Sequence, residues 1–543
     1  MENWNWTKLL LIFSFLIFLG SLLLRQETAI TQDLGRHLRL GEMITADGEA
    51  GKCALYSNCL TYTYPDYPFI NHHWGSEVIF YLVHKWSGFS GIIVFKTIIL
   101  GLTFIVTLLH SLELNKGPAF LKRPGLLWLA IAVSLVFFSV QMMADRLTTR
   151  PEIFGYFLFS ILFWMLNSSF PKRLLSLFLV FCSLLIILWV NLHISFVFGL
   201  ILIWIWAGSQ LLASLRGSDS DRGNLGDRHA PPRRTRLGLA MTATAAASTM
   251  ATIFNPSGLR GTLMPLSILK DYGYTIVENM NPFFLTAFKP QPEYWIYIIL
   301  LITTIFLFLF SSAKKNPFHL LTFLTFSLFP LIAVRHLPFF ALVISPILAP
   351  LLFSVLKGPA LLSKAGPYDA HIPILTIGFL LLTAFTNPIP LAYAKLPPIN
   401  LSTDSRHDQA IEFVKQNNFQ GPMWNNYDIG SFLEWAIPEH KTFVDGRPEA
   451  FPVGFFKKTY IPMQESQKKW DEVTAANDIQ WVFAALTDAT PWFTKWWQMI
   501  QNHQGWKIVY IDNYSTILIR TNGKNNLIEP QGKARLLKTL NSD

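Results

Sequence analysis

The sequence predicts an α-helical multi-pass membrane protein that carries a C-terminal α/β domain. Of its 543 residues, 51% are hydrophobic and only 14% are charged, whereas soluble domains carry about a quarter charged residues. Apolar runs long enough to cross about 30 Å of hydrocarbon recur up to about residue 395. After that point the apolar runs become short and charges become frequent. These observations divide the chain into a transmembrane domain, 1–395, and an α/β domain, 396–543.

Eleven apolar segments are predicted to span the bilayer. They lie near 7–24, 89–109, 125–143, 151–169, 174–191, 195–214, 237–254, 293–312, 318–334, 337–356 and 373–394. The stretch 174–214 is divided at "NLHIS" because a hairpin is more typical than one helix of that length. "LLLRQETA" follows the first segment and offers no small-residue cleavage site, so this segment is interpreted as an uncleaved span.

Positive charge sets the predicted orientation. The formal net charge is +10, and with the N-terminus in the cytoplasm the Lys and Arg residues fall in the cytoplasmic loops, as the positive-inside rule requires. These are Lys116, Lys122, Arg123, Lys172, Arg173, Lys314, Lys315, Lys357, Lys364 and the six arginines of 215–236. The charge therefore indicates a multi-pass membrane protein with a cytoplasmic N-terminus and no nucleic-acid partner.

The same topology places a long first loop, 25–88, and the C-terminal domain outside the cytoplasm. In that domain "DQAIEFVKQNN" is helix-like, "KTFVDGR" and "DIQWVFAAL" are strand-like, and "WKIVYIDNYSTILIRT" predicts a hairpin turning at Asp512-Asn513. The first loop also contains Cys53 and Cys59. An oxidising compartment favours a disulfide between them, and the alternative is two free thiols.

Ionisable and polar groups collect at the outer boundary of the predicted spans. A transporter is expected to bury such charges near the midplane, often in repeated halves, and no such repeat is visible. The location therefore favours an interfacial active site. The candidate residues are Asp33, His37, His72, His73, Glu77, Arg150, Glu152, Asn191, His193, Arg335 and His336.

Asp33 and His37 are four residues apart, so on a helix they share one face. Such a helix can lie in the membrane interface and direct its carboxylate at a site above the bilayer. The alternative role for Asp33 is that of a helix N-cap, which spacing alone favours. Arg150 and Arg335 at the ends of spans are individually typical of residues that anchor a helix at the headgroups.

His72, His73 and Glu77 carry groups that can bind metal, with His73 and Glu77 at helical spacing. Asp33 is the candidate third ligand, and a divalent metal is left open because nothing in the pattern fixes that ligand. A structural role for "HHW" is equally compatible with the sequence.

The order of these features resembles the GT-C glycosyltransferases, which include protein O-mannosyltransferases, oligosaccharyltransferases and aminoarabinose transferases. "DLGRHLRLGEMI…HHWGSEVIFYL", "RPEIFGYFLF", "LWVNLHISFVFGL", "NPSGLR" and "RHLPFF" are most similar to bacterial multi-pass proteins of this type. The resemblance covers most of the chain.

The resemblance implies a glycosyltransferase of the cell envelope, in a bacterial inner (plasma) membrane, that uses a polyprenyl-phosphate-linked sugar and a glycan, lipid or protein acceptor. It implies that Asp33 is the catalytic carboxylate. In the leading hypothesis from the residues, His37 orients Asp33, and Arg150, Arg335 and His336 bind the donor phosphate. Members often carry an acidic pair at this position. Here the neighbours are Gln32 and Leu34, so a second carboxylate would come from Glu42, Glu77 or Asp145.

"WNNYDIGSFLEW" and "KTFVDGRPEAF" give a looser similarity to the acceptor-binding signature of oligosaccharyltransferases. Tyr427, Asp428, Asp445 and Arg447 are the corresponding candidates. Asn426 and Tyr427 replace its paired tryptophans, so binding of a peptide sequon is not implied. The alternatives are a strand–turn–helix capped by Asn and Asp, and a turn at Asp445-Gly446-Arg447.

The sequence also leaves two other classes of membrane protein open. A polysaccharide polymerase or ligase is usually built on arginine and histidine, with its main outer loop late in the chain, whereas here the first loop is the longest. A lipid-linked-substrate transporter or envelope scaffold predicts a continuous polar path across the membrane and no effect of losing Asp33.

Overall fold

The computed structural model describes most of the chain. The described residues are 6–27, 33–46, 48–113, 125–168, 175–218, 233–267, 272–288, 292–310, 316–356, 368–386, 399–404 and 406–531. The lysines and arginines assigned above to short cytoplasmic loops, and 219–232 of the arginine-rich loop, lie outside these residues.

Helices dominate the described residues. In chain order the helices are α1 Trp6–Leu23, α2 Leu34–Thr45, α3 Glu49–Tyr56, α4 Trp74–Glu113, α5 Leu126–Met142, α6 Glu152–Asn167, α7 Leu175–Leu192, α8 Phe196–Ser218, α9 Arg233–Ala251, α10 Gly258–Leu263, α11 Pro282–Phe288, α12 Pro292–Phe310, α13 Pro317–Ile332, α14 Leu337–Leu356, α15 Tyr368–Thr386, α16 Asp408–Asn417, α17 Tyr427–Ala436, α18 Val453–Phe455, α19 Ile461–Glu465, α20 Gln467–Ala476 and α21 Pro491–Ile500. The strands are β1 Met423–Asn425, β2 Trp481–Ala485, β3 Trp506–Ile511 and β4 Ser515–Arg520.

The chain forms two compact units that interleave in sequence. Unit 1 comprises Met1–Arg25, Ile93–Pro265 and Ile276–Leu401, and unit 2 comprises Gln26–Ile92, Leu266–Thr275 and Ser402–Asp543. Residues 26–88 of the predicted first loop therefore fold with the C-terminal domain. This grouping could not be read from local composition, because it depends on contacts between segments far apart in the chain.

Unit 1 is a bundle of apolar helices. Each of the eleven predicted spans overlaps a helix, and α1 packs against α15, α5 against α14, and α9 against both α7 and α8. Among the described residues, four helices are long and apolar enough to cross a bilayer: Trp6–Leu23, Trp74–Leu112, Pro292–Phe310 and Val334–Val355. Six shorter apolar helices accompany them. The chain is a membrane protein, and the number of spans stays a prediction.

Helix α4 begins well before the predicted span at 89–109. Gly88 adopts φ 63° and breaks the helix there, a conformation that favours glycine because it lacks a Cβ. The segment before the break belongs to the first loop of unit 2, and the segment after it corresponds to the predicted span.

The sheet of unit 2 has the order β1-β2-β4-β3, with β1 parallel to β2 and the other pairs antiparallel. Alternate residues of β2 enter different cores: Val482 and Ala484 join the cluster around Trp424, Trp470 and Trp496. Trp481 and Phe483 join the opposite cluster. Because both faces are covered, β2 is apolar throughout. The helix predicted from "DQAIEFVKQNN", the strand within "DIQWVFAAL" and the hairpin at Asp512 are confirmed.

The strand predicted for "KTFVDGR" is wrong. Thr442 forms only an isolated bridge, to Thr61. The Asn425 side chain instead accepts a hydrogen bond from Phe443 N at 2.8 Å and donates one to Val444 O at 2.7 Å. A side-chain amide thus satisfies backbone groups that a neighbouring strand would otherwise bond.

Candidate functional site

Asp33 lies in unit 2 at the start of α2, where the chain adopts a left-handed conformation with φ 58°. Although it occupies the N-cap position, its side chain makes no capping hydrogen bond. Oδ1 instead accepts a hydrogen bond from the Ser431 hydroxyl at 3.2 Å, and Oδ2 lies 3.5 Å from Arg36 Nη2. The side chain is 33% exposed. The N-cap alternative is therefore wrong, and the carboxylate is directed at α17.

Close helix packing creates this arrangement. A Cβ on Gly35 would lie 2.5 Å from Ser431 O, and one on Gly41 would lie 2.1 Å from Glu77 O. The absence of side chains at these two positions lets α2 approach both α17 and the start of α4. Leu34 and Leu38 are fully buried in unit 2, so the apolar face of α2 packs against protein.

Arg36 provides a buried cation beside Asp33. Its side chain is only 6% exposed, and its Nε has no hydrogen-bond partner among the described residues. Burial opposes its charged form, but Asp33 and Asp445 outweigh that effect and raise the Arg36 pKa. Arg36 is therefore a permanent positive charge next to the Asp33 carboxylate.

Asp445 and Arg447 form a fully buried ion pair in the same unit. Arg447 Nη2 also donates to Asn58 Oδ1 at 2.8 Å, and its guanidinium lies 4.8 Å from the centre of the Phe69 ring. Although burial opposes ionisation, Arg447 holds the pKa of Asp445 below its ordinary value. The predicted role of these two residues as acceptor ligands does not fit, because no part of either side chain reaches solvent. They join the first loop to the C-terminal domain.

Glu434 is a further buried carboxyl group next to this pair. It is 3% exposed and accepts a hydrogen bond from the Thr442 hydroxyl at 3.1 Å. Burial, followed by the negative charge of Asp445, raises the pKa of Glu434 well above its ordinary value. The buried position of Glu434 therefore disfavours its charged form.

Gly446 forms the floor beneath Asp33. A Cβ at Gly446 would lie 2.3 Å from Asp33 Oδ1 and 3.0 Å from Ser431 Oγ. We expect Gly446→Ala to displace the Asp33 carboxylate, which is the mobile end of a side chain, and to lower activity by about tenfold or more. The free energy of unfolding should change by less than about 1 kcal/mol. Sugar-transfer assays and thermal unfolding of the purified protein measure the two effects.

The matched control is Gly101→Ala in α4, where an added Cβ meets no atom within 4 Å. It should leave both activity and stability close to those of the unmodified protein. Full activity of Gly446→Ala would contradict a role in activity for the Asp33 carboxylate in this position.

Tyr427 and Asp428 lie at the start of α17 within an aromatic group of unit 2. Tyr274 stacks on Tyr427 with ring centres 4.3 Å apart, and Trp492 meets Tyr274 edge-on at 5.8 Å. Burial, Asp488 and Asp33 raise the pKa of Asp428 to about 7. These two acceptor candidates are partly exposed, so they combine an aromatic surface with a carboxyl group that titrates near neutrality.

The histidines of the first loop form a separate polar group. His37 Nδ1 lies 2.9 Å from Glu77 Oε1, and Asn71 donates to Glu77 Oε2 at 2.6 Å. The His73 and His37 rings meet edge-on with centres 5.7 Å apart, and the His72 ring is tilted against His73 with centres 4.0 Å apart. Glu77 is fully buried. His37 Nδ1 thus bonds a buried carboxyl group, and the orientation of Asp33 by His37 stays a prediction.

No three His, Cys, Asp or Glu side chains in the described part of the chain are grouped so that they could hold a metal ion. The candidate set of Asp33, His73 and Glu77 is not assembled, because Glu77 is bonded to His37 and Asn71. These residues do not fit a metal ion at this position.

Cys53 and Cys59 are neighbouring free thiols in the structure. Burial and a hydrogen bond from Cys53 raise the pKa of Cys59 to about 12. Both border a cavity of about 400 Å³ in unit 2 that also contacts Glu434. The disulfide is not formed, and it stays a prediction for an oxidising compartment.

Unit 1 contains a cluster of arginines. Arg146 Nη1 lies 2.8 Å from Glu278 Oε2, and Arg150 Nη1 lies 2.7 Å from Glu278 Oε1. Arg335 donates to the next residue, Asn279, at 3.0 Å. Burial opposes ionisation of Glu278, but these three arginines hold its pKa below the usual range. The predicted pair Arg150 and Arg335 thus binds a single short turn, Val277–Asn279.

The other candidates in unit 1 divide into two groups. Glu152 Oε1 lies 3.7 Å from Arg146 Nη1, so Glu152 belongs to the arginine cluster. His336 Nδ1 bonds Phe329 O at 3.2 Å. Its assignment to the donor phosphate stays a prediction.

Asn191 and His193 shape the turn between α7 and α8. Asn191 donates to Ile187 O at 2.7 Å and Phe254 O at 2.8 Å. His193 Nδ1 lies 2.7 Å from Ser195 Oγ. These contacts fit a structural role at the turn.

No family model matches the chain, and no curated protein sequence matches it. The chain does align with solved structures. The oligosaccharyltransferase AglB of Archaeoglobus fulgidus, in complex with an inhibitory peptide and a dolichol-phosphate, aligns with TM-score 0.60 and 12% identity over 91% of this chain and 71% of its own. The apo form aligns with TM-score 0.54 and 12% identity over 98% and 76%.

ArnT from Cupriavidus metallidurans in its apo state aligns with TM-score 0.50 and 12% identity over 97% of this chain and 99% of its own. AglB and ArnT are both GT-C glycosyltransferases. The chain has a GT-C fold. At this level of identity the comparison establishes the fold and not the activity.

Within this GT-C fold, several site residues could not have been selected from the sequence. Ser431 and Tyr274 have no distinguishing local pattern. Glu278 is one of two acidic residues in the loop 255–292, the other being Asp271. An isolated acid on the same predicted side as the arginines was the available signal.

Proposed function

We propose that the protein transfers a sugar from a polyprenyl-phosphate-linked donor to an acceptor hydroxyl at the outer face of a bacterial inner membrane. The observation that carries the proposal is Asp33, a partly exposed carboxylate that caps no helix and lies beside a buried arginine, in a chain with a GT-C fold. One of the similar structures is described with a dolichol-phosphate, which supports a lipid-linked phosphate as the donor class.

In the proposed reaction the acceptor oxygen bonds to the anomeric carbon of the sugar while the bond from that carbon to the phosphate oxygen breaks. Asp33 takes the proton of the acceptor hydroxyl, and the polyprenyl phosphate leaves with the bonding electron pair. The cation of Arg36 lies 3.5 Å from Oδ2 of Asp33, and the Ser431 hydroxyl donates a hydrogen bond to Oδ1. Asp33 is thus a general base with a defined orientation.

We assign binding of the donor phosphate to the arginines of unit 1. The guanidinium groups of Arg150 and Arg335 bind side-chain oxygens of the turn Val277–Asn279. The N–H groups of a planar guanidinium also match the positions of phosphate oxygens. Arg146 joins them as a third arginine. Positive charge at this position would stabilise the departing phosphate.

We assign the acceptor to the partly exposed group of Tyr427 and Asp428 in unit 2. An aromatic ring beside a carboxyl group suits the apolar face and the hydroxyls of a sugar ring. A glycan acceptor is therefore favoured over a peptide.

The experiment is a transfer assay with the full-length protein in phosphatidylcholine nanodiscs. Radiolabelled hexose and pentose derivatives of undecaprenyl phosphate are supplied with a lipid or oligosaccharide acceptor. We expect label to move from at least one donor to an acceptor, because the fold and the carboxylate suit that chemistry. Absence of transfer from every lipid-phosphate donor, with stable protein, would contradict the proposal.

A further inference from the structure

The turn Val277–Asn279 is held in unit 1 by polar contacts. Glu278 contacts Arg146 and Arg150, Asn279 accepts from Arg335, and Val334 N donates to Met280 O at 3.0 Å. None of the three residues of the turn is buried, and Val277 is 59% exposed. Because no apolar side chain anchors the turn, these few polar contacts determine its position.

The contacts of Glu278 resemble those of a bound oxyanion. Its two oxygens bind two different arginines at 2.8 Å and 2.7 Å. These are charge-assisted distances, and a phosphate group offers the same kind of oxygen to the same nitrogens. A carboxylate has two oxygens, whereas a terminal phosphate presents three, so the arginines can make at least as many contacts to a phosphate.

Buried polar atoms beside this carboxylate are incompletely bonded. The Tyr156 hydroxyl and Glu152 Oε1 have no hydrogen-bond partner within the described residues. Tyr156 is 1% exposed and Glu152 is 7% exposed. Burying a polar atom without a partner is unfavourable by roughly 1–3 kcal/mol. Such atoms next to an arginine cluster indicate a site whose polar partners are not all supplied by the described residues.

We propose that the Glu278 carboxylate takes the place of a phosphate group in the arginine cluster, and that a phosphate-bearing ligand displaces Glu278 to bind Arg146 and Arg150. The choice of a lipid-linked phosphate as the natural ligand rests on the proposed function. The chemistry recognised is that of a phosphate oxyanion, whether free or attached to a lipid. The turn carrying Glu278 moves out when the ligand enters.

The first test is a binding measurement on the full-length protein in phosphatidylcholine nanodiscs, with undecaprenyl phosphate and inorganic pyrophosphate as separate probes. Glu278→Gln removes the competing charge and should tighten binding of at least one probe by about tenfold. Tightening for pyrophosphate shows that the oxyanion suffices, and tightening for undecaprenyl phosphate alone shows that the lipid is required. Unchanged or weaker binding of both probes would overturn the proposal.

Asp145→Asn is the matched control. It removes one negative charge from the exposed residue next to Arg146 and should leave binding unchanged. An equal gain in binding affinity from both variants would show a general charge effect and would overturn the proposal that the ligand displaces Glu278.

A second measurement needs no substitution and therefore does not depend on the folding of a variant. Hydrogen exchange of the peptide covering 272–280 is followed in the unmodified protein with and without pyrophosphate or undecaprenyl phosphate. We expect faster exchange at saturation, because the turn is released. Slower or unchanged exchange at saturation would overturn the proposal. Neither measurement depends on sugar transfer, so failure here and failure of the proposed reaction are distinguishable.

Discussion

Replacing Asp33 by asparagine is expected to lower the rate of sugar transfer by about 10²–10⁴-fold, the usual contribution of a general base. Asparagine retains the size of the side chain and can still accept from the Ser431 hydroxyl, which now bonds Oδ1 at 3.2 Å. It cannot take a proton from an acceptor hydroxyl. The prediction therefore separates the basicity of Asp33 from its position, and transfer of label from the lipid-phosphate donor measures it.

Glu42→Gln is the control for this prediction. Glu42 lies on the same helix, α2, but its carboxylate is 38% exposed and bonded to Arg39. This variant should transfer sugar at a rate within about twofold of the unmodified protein, because surface ion pairs contribute little. A fully active Asp33→Asn, or equal losses for the two variants, would remove Asp33 from the proposed reaction.

Replacing Arg447 by methionine is expected to destabilise unit 2 by about 3–5 kcal/mol, because it leaves Asp445 buried without its counter-ion. Neither side chain of this pair is exposed to solvent. The hydrogen bond to Asn58 and the contact with the Phe69 ring are lost as well. Denaturant unfolding of the purified protein, followed by tryptophan fluorescence, measures the change.

The sequence provides a matched control with the same spacing. Asp404 and Arg406 also form an ion pair two residues apart, but the Arg406 side chain is 37% exposed. Arg406→Met should change stability by less than about 1 kcal/mol. The double variant Asp445→Asn with Arg447→Met should be more stable than Arg447→Met alone, since no buried charge is left unpaired. Equal effects of the buried and exposed arginines would contradict the account.

Local pattern was sufficient to predict the helices. Every predicted span overlaps a helix, and α2 was expected from the spacing of Asp33 and His37. The hairpin at Asp512 followed from two apolar runs separated by a turn signal. In these cases the determining information is contained in a few neighbouring residues.

The environment of Asp33 could not be predicted in the same way. Its contact with Ser431 joins residues 398 positions apart, and no periodicity records such a pairing. The N-cap role was the better interpretation from spacing, and it failed because the backbone of Asp33 is left-handed. The prediction of a strand at "KTFVDGR" failed for a related reason, because the Asn425 side chain makes hydrogen bonds that a partner strand would otherwise make.

At the arginine cluster, one part of the site was predicted from the sequence and another part was missed. The sequence indicated that Arg150 and Arg335 act together, and the structure attaches both to Val277–Asn279. The partner between them, Glu278, was missed because an acidic residue in a loop has many possible roles. Only the three-dimensional arrangement shows two arginines on one carboxylate.

The most direct test of the central claim is the stoichiometry of the transfer reaction. Labelled sugar and released lipid are quantified together after a single incubation in nanodiscs, for the unmodified protein and for Asp33→Asn. We predict one polyprenyl phosphate released for each sugar transferred by the unmodified protein, and almost none of either by the variant. Sugar transfer without release of the lipid phosphate, or equal release by both proteins, would contradict a glycosyltransferase that depends on Asp33.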